Sequence, residues 1–500
     1  MRSSVANALA DILALSAGLI LPFAFAPFGW FPLAVLAPAL IFSVWDSASA
    51  GRALWRGWLF GIGMFGVGTS WIQISLHQFG MPVLAFSVSA TALFIGFLAV
   101  YPALLGYLAI RCSPRSAGLR LLLVWPALWA LTEWLRGWLF TGFPWLNLGY
   151  SQIDAPLAGL APVLGVYGVS WITAFSAGLI CYLVKPGSRH WLSYLVLALA
   201  LWGGSALLGR ITWTQATGTP LRVALIQGNV RQSDKWQPAE RYATIERYLS
   251  LSSPYLGADV IVWPETAIPM FYDEARPFLE QLQRLAKRFD TQFVVGIPYS
   301  DGARKYNSVI GVGTNAGVYH KRHLVPFGEF IPFASVLIPL LERVGLRVAS
   351  FSSGEPIQPV FVAGGQAIGV SICYEDAFGE EVIDALPRAG LLVNVSNDAW
   401  FGDSMAPHQH LQIARMRALE TGRFLLRSTN TGISAIISPQ GKILQQAPQF
   451  EPHALAMKVY AHQGATPYTK IGNWGIVTPL IFVAVGGFIR RRGEIARHHN

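Results

Sequence analysis

Residues 367–380 read "AIGVSICYEDAFGE". A short apolar run ends on Cys373 and gives way to turn-forming and acidic residues, the pattern of a buried strand that delivers a thiol at its C-terminal end. Glu375 and Asp376 follow at once. Nearby carboxylates raise a thiol's pKa and dull it. A cysteine in this position is therefore either a small core residue or a nucleophile whose proton and charge are managed by groups brought in from elsewhere.

Similar Val/Ile-rich runs flank this one: "RVALIQGNV", "ADVIVWPET", "QFVVGIPYS" and "GLLVNVSND". Between them lie helical patterns such as "EARPFLEQLQRLAKRF" and "PHQHLQIARMRALETG". Strand and helix alternating over about 250 residues imply one α/β domain, placed at 221–470. No fixed-period repeat and no low-complexity tract interrupts it.

Three predicted strand ends in this domain carry reactive side chains. "VWPET" ends a strand at Glu265, "HKRHLVPFGEF" offers Lys321 and then Glu329, and "SICYED" ends a strand at Cys373. Such ends converge in α/β sheets. A carboxylate base, an ammonium and a thiol suffice for acyl transfer: Glu265 takes the thiol proton, Cys373 attacks, and Lys321 stabilises the oxyanion. Each residue alone also fits a structural role as core thiol, turn acid or surface charge.

The order and spacing of "WPET", "KRHLVPFGE" and "CYED" resemble the Glu, Lys and Cys blocks of the nitrilase (carbon-nitrogen hydrolase) superfamily. With the apolar segments described below, and with "LRGWLFTGFPWLNLGYSQ" and "NDAWFGDSMAPHQHLQIARMRALETGR", nearly the whole chain resembles the apolipoprotein N-acyltransferase family. The resemblance implies an αββα sandwich placed after a bundle of seven transmembrane helices and followed by an eighth. It implies a ping-pong acyltransferase that moves an acyl chain from a phospholipid, phosphatidylethanolamine foremost, through a cysteine thioester to the α-amine of a diacylglyceryl-modified apolipoprotein. It assigns Glu265, Lys321 and Cys373 to catalysis, and Glu329, Tyr374 and Glu375 to supporting places in the site. Trp236, in "SDKWQP", falls at a lipid or substrate contact. Asn394 and Asn397 in "NVSND" are candidate hydrogen-bond donors or turn formers.

After Glu329 comes "FIPFASVLIPLLERVGL", in which Phe330, Ile331, Phe333, Leu337, Ile338, Leu340 and Leu341 crowd beside a catalytic loop. It reads as an arm dipping into the bilayer surface, admitting lipid and limiting hydrolysis, or else as a buried helix.

The rest of the chain is apolar. Hydrophobic residues make up 53% and charged residues 13% of its 500 positions, and mean hydropathy is +0.42, so the chain reads as a membrane protein. Apolar stretches near 8–27, 30–45, 55–75, 82–110, 119–139, 160–184 and 191–209 make up a membrane bundle over residues 1–210, and an eighth stretch lies at 473–489. The second is short enough to tilt or re-enter. The first is long and followed at once by others, so it is expected to be retained rather than cleaved.

Basic residues fall in alternate connections: Arg2; Arg52 and Arg56; Arg111, Arg115 and Arg120; Lys185 and Arg189; and Arg490 to Arg492 with Arg497 in the tail 490–500. The connections "PFGW" and "HQFGM" carry none. By the positive-inside rule both termini are cytoplasmic and the α/β domain lies outside the cytoplasm; the resemblance implies that the membrane is a bacterial inner membrane and the domain periplasmic. The net charge of +10 is thereby explained by topology, with no nucleic-acid partner. Glu133 and Arg136, three apart, share a helix face and are positioned to pair.

The 3 cysteines, Cys112, Cys181 and Cys373, are scattered and give no disulfide framework. No histidine cluster or glycine-rich loop suggests a metal or nucleotide cofactor. Two other readings stand beside acyl transfer: a membrane-tethered amidase whose acyl-enzyme is resolved by water, and a transporter or scaffold whose outer domain only binds ligands. The few ionisable residues within the spans weigh against transport.

Overall fold

The computed structural model describes residues 2–80, 82–185, 191–335, 338–339 and 350–497. The chain forms two compact units: residues 1–212, 401–412 and 470–500 in one, and 213–400 with 413–469 in the other.

The first unit is helical, and each expected apolar stretch contains a helix. They run Arg2–Ile20, Leu33–Asp46, Ala50–Gly68, Leu84–Leu98 with Val100–Arg111, Trp125–Arg136, Ala161–Leu183, Trp191–Leu208 and Trp474–Ala496. Among the described residues five helical segments are long and apolar enough to span a bilayer. A sixth arises if Ala50–Gly68 and Ile72–Phe79, bent by 59°, are one span. Leu33–Asp46 has 14 residues, about 21 Å of helix, matching the short second stretch. Helix lengths alone therefore do not fix the count at seven plus one.

Small residues bring these helices together. A Cβ at Gly57 would collide with the Pro102 carbonyl, and one at Gly106 with that of Ala53, so Ala50–Gly68 and Val100–Arg111 touch backbone to backbone. Charges within the unit are paired: Asp11 meets Arg56 at 3.0 Å and Arg52 at 3.2 Å, and Asp46 meets Arg120 and Lys185. Glu133 and Arg136 both grip the segment that follows their helix. Glu133 accepts from Trp129 Nε1 at 2.8 Å and Leu148 N at 2.9 Å, while Arg136 donates to the Phe143 carbonyl at 2.9 Å and Asn147 Oδ1 at 2.7 Å.

The second unit holds two six-stranded sheets among the described residues. The first contains β1 (Thr214–Gln227), β2 (Val260–Trp263), β3 (Gln292–Ser300), β4 (Lys305–Val312), β5 (Gly317–His320) and β12 (His453–Gly464), in the order β12-β1-β2-β3-β4-β5. The second contains β6 (Phe361–Ala363), β7 (Gln366–Ile372), β8 (Leu391–Ser396), β9 (Leu425–Thr429), β10 (Ala435–Ile437) and β11 (Ile443–Gln446), in the order β11-β10-β9-β8-β7-β6. Pairings β1–β2, β2–β3, β7–β8 and β8–β9 are parallel.

Alternation along the strands builds the layers. Leu221, Val223 and Leu225 of β1 join Val260, Val262, Ile368, Ile372, Val393 and Leu426 in a core between the sheets. The intervening Ala224 and Ile226 turn the other way, with Ile261, Trp263 and Val295, onto Ile245, Tyr248, Leu279 and Leu282 of helices Arg241–Ser252 and Tyr272–Phe289. Strands buried on both faces are what continuous apolar runs require. The result is a helix layer on a sheet packed on a second sheet. Helix Ala406–Thr421 coincides with the "PHQHLQIARMRALETG" pattern.

Candidate active site

Glu265, Lys321 and Cys373 follow β2, β5 and β7, and the fold brings the three together. Lys321 is 1% exposed. Its Nζ lies 3.7 Å from Glu265 Oε1 and 2.8 Å from Glu329 Oε2. Asn307 of β4 bridges the two acids, donating from Nδ2 to Glu265 Oε1 at 2.6 Å and to Glu329 Oε1 at 2.9 Å. Its carbonyl also accepts from Lys321 N at 2.8 Å. Glu329 further accepts from Val325 N at 2.8 Å, which closes the 325–329 loop around the lysine. Burial disfavours the Lys321 charge, but Glu329, Glu265 and Cys373 more than offset it and hold the ammonium above its ordinary value.

Cys373 sits at φ +51, an uncommon backbone state for a residue other than glycine, of a kind that clusters at functional sites. Its carbonyl accepts from Asn394 Nδ2 at 3.2 Å. The thiol is held above the ordinary range, first by burial and then by the charge of Glu265, with Lys321 pulling the other way. It therefore rests protonated at neutral pH, and attack requires a base. The "CYED" segment forms a five-residue 3-10 turn, Cys373–Ala377, too short to supply a macrodipole of consequence.

Glu375 turns to the main chain and to Tyr319. Its carboxylate accepts from Ile372 N at 2.6 Å and Tyr319 OH at 3.0 Å, and from Arg322 N at 2.5 Å and His323 N at 3.2 Å. It thus ties the strand that carries Cys373 to the segment that carries Lys321. Burial and the charge of Glu381 raise Glu375 to about 7, and main-chain N–H donors offset only part of that. Tyr374 packs against His323 and Phe378 at ring separations of 5.7 Å and 5.0 Å.

Beneath the thiol turn runs a buried ionic chain that the sequence reading did not find. Arg427 of β9 donates to Asp376 at 2.9 Å, Asp398 at 3.0 Å and Asn394 Oδ1 at 2.7 Å, and all four are fully or almost fully buried. The signal was present: an arginine in a five-residue strand that is otherwise buried needs a partner. Asn307, which interrupts the run of β4, and Lys235 were also missed; Lys235 lies in the polar stretch "RQSDKWQP", which gives no sign of its burial. Asn397 bonds Gln232 at 2.8 Å and Asn430 at 3.1 Å.

The four expected lipid contacts differ in exposure. Trp236 is 44% and Phe333 68% exposed, whereas Ile331 is only 7% exposed and faces protein; Phe330 is half-buried. Leu337, Leu340 and Leu341 of the expected arm lie outside the described residues, so the arm is traced only at its start. No group of three or more metal-ligating side chains occurs among the described residues.

A family model described as carbon-nitrogen hydrolase matches residues 222–460, and one described as apolipoprotein N-acyltransferase N-terminal domain matches 17–179. Proteins named apolipoprotein N-acyltransferase are similar over nearly the full length. One from Methylococcus capsulatus is 45% identical, covering 98% of both chains. One from Vibrio cholerae is 43% identical, covering 96% of both, and one from Coxiella burnetii is 41% identical, covering 96% of this chain and all of its own.

Proposed function

The chain belongs to the apolipoprotein N-acyltransferase family, and from that premise we propose how its residues carry out N-acylation of apolipoproteins. In the first step Glu265 takes the Cys373 proton as Sγ attacks the ester carbonyl of a phospholipid, phosphatidylethanolamine being the donor we favour. The carbonyl oxygen develops charge against the Lys321 ammonium. The ester C–O bond breaks, the lysophospholipid alkoxide recovers the proton from Glu265, and a thioester remains.

In the second step the α-amine of the diacylglyceryl-cysteine attacks that thioester. Glu265 removes the amine proton and returns it to the departing thiolate, leaving an amide and a free enzyme. A thioester is more reactive toward an amine than the oxygen ester it came from, which suits a ping-pong transfer. The observation that carries this reading is the Lys321 ammonium, buried between Glu265 and Glu329 beside a thiol held protonated. Glu329 orients Lys321, Glu375 braces the two reactive segments, and exposed Trp236 and Phe333 meet lipid.

The same reading extends to the whole chain. Residues 1–210 form seven spans, 221–470 a periplasmic catalytic domain, 473–489 an eighth span and 490–500 a cytoplasmic tail, with both termini inside a bacterial inner membrane. The alternate placement of Lys and Arg in the connections supports this orientation. Purified enzyme given labelled phospholipid and a diacylated lipopeptide should yield N-acyl lipopeptide in step with lysophospholipid. Release of free fatty acid with no N-acyl product would instead make the protein an amidase that uses water.

A further inference from the structure

Among the described residues two lysines are buried to 1% exposure, Lys321 and Lys235. The reaction above uses the first and not the second. Lys235 closes the short helical turn Gln232–Lys235, one residue before the exposed Trp236. Its Nζ donates to the main-chain carbonyl of Glu265 at 3.0 Å. A buried ammonium needs both hydrogen bonds and an anion. Glu265 supplies a carbonyl and a charge: burial lowers Lys235 to about 8, and the Glu265 carboxylate pushes back upward.

The backbone it grips is itself unusual. Thr266, next to Glu265, has φ +51, which a β-branched residue adopts only when its surroundings enforce it. Ala267 N bonds the Pro264 carbonyl at 3.2 Å, and Ile268 N bonds that of Gly296 at 3.3 Å, so the downstream side of the turn is tied to itself and to β3. Lys235 is the tie on the Glu265 carbonyl. Its own segment is anchored in turn, by Lys235 N to the Arg231 carbonyl at 3.1 Å and by Gln232 to Asn397 at 2.8 Å.

We propose that Lys235 is a positioning residue for the acyl transfer: through its hydrogen bond to the Glu265 carbonyl it fixes the Glu265 main chain in its strained turn. The inference rests on Glu265 being the base. Around the Glu265 carboxylate stand Lys321, Glu329 through their shared Asn307, the Cys373 thiol and Lys235. Glu265 is the charge facing Lys235, with Arg231 and Asp234 on its own segment.

The test compares full-length Lys235→Met, Lys235→Gln and Glu265→Gln with the wild type, following single-turnover acyl-enzyme formation from labelled phosphatidylethanolamine, with thermal melting alongside. Lys235→Met should acylate about tenfold or more slowly at saturating donor with unchanged KM, because the turn that carries the base loses its tie. Lys235→Gln keeps a hydrogen-bond donor and should recover most of that rate, and it decides the matter if the methionine variant does not fold. A wild-type rate in Lys235→Met, or a Lys235→Gln enzyme that folds yet acylates as slowly as expected for Lys235→Met, with Glu265→Gln inactive, overturns the role of Lys235 alone. Wild-type acylation by Glu265→Gln overturns the base assignment, and the inference falls with it.

Discussion

The Cys373 thiol is held protonated by burial and by the negative charge of the residue proposed to deprotonate it. The acids beside it in sequence matter less than expected, because Glu375 turns to the main chain and Asp376 to Arg427. This separates reactivity from basicity in a testable way. Glu265→Gln removes a charge that raises the thiol, so alkylation of Cys373 by iodoacetamide should begin at lower pH than in the wild type, while acylation by phospholipid is lost. Glu375 gives a second prediction. A carboxyl raised to about 7 in the fold contributes stability at low pH that is lost as pH climbs from the ordinary glutamate range through that value. The stability advantage of wild type over Glu375→Gln should therefore shrink by roughly 3 kcal/mol across that window, and denaturant melts at a series of pH values measure it. The sequence placed Glu375 near the nucleophile, but its direction depends on Tyr319, Arg322 and His323, which approach from another sheet.

At the scale of elements, strands whose runs are mainly apolar, such as β2, β3 and the 221–226 half of β1, were legible because burial leaves few polar positions, and β7 and β8 were legible despite Ser371 and Asn394. β4 and β9 were not, since Asn307 and Arg427 break their runs and are satisfied only by residues distant in the chain. Those polar interruptions carry testable consequences. Arg427→Met would remove the guanidinium that meets buried Asp376 and Asp398 and should cost about 3–5 kcal/mol, seen as loss of folded protein or a large fall in Tm. On β3, a Cβ at Gly296 would collide with the Pro264 carbonyl and come within 2.7 Å of Glu265 Cα. Gly296→Ala should displace the base and slow acylation at least tenfold, an effect about 1 Å of misplacement can produce. A Gly296→Ala enzyme of wild-type rate would place the base elsewhere.

For the whole molecule, composition made the membrane class readable before any contact was known, and the charge distribution supplies the orientation proposed above. Span count was less legible, because Leu33–Asp46 is short, Ala50–Gly68 and Ile72–Phe79 are bent, and Trp125–Arg136 carries charged residues that grip a neighbouring segment. Orientation is tested with single-cysteine variants in spheroplasts. A membrane-impermeant maleimide should label Glu280→Cys, on the exposed face of helix Tyr272–Phe289, and should reach Arg497→Cys only after permeabilisation. The central claim is that a phospholipid acyl chain passes through Cys373. Incubating the purified protein with labelled phosphatidylethanolamine and no acceptor, then mapping the label by mass spectrometry, addresses it directly. A hydroxylamine-sensitive acyl adduct on Cys373, absent from Cys373→Ala, is the predicted result; no adduct, or one that persists in Cys373→Ala, would contradict the account.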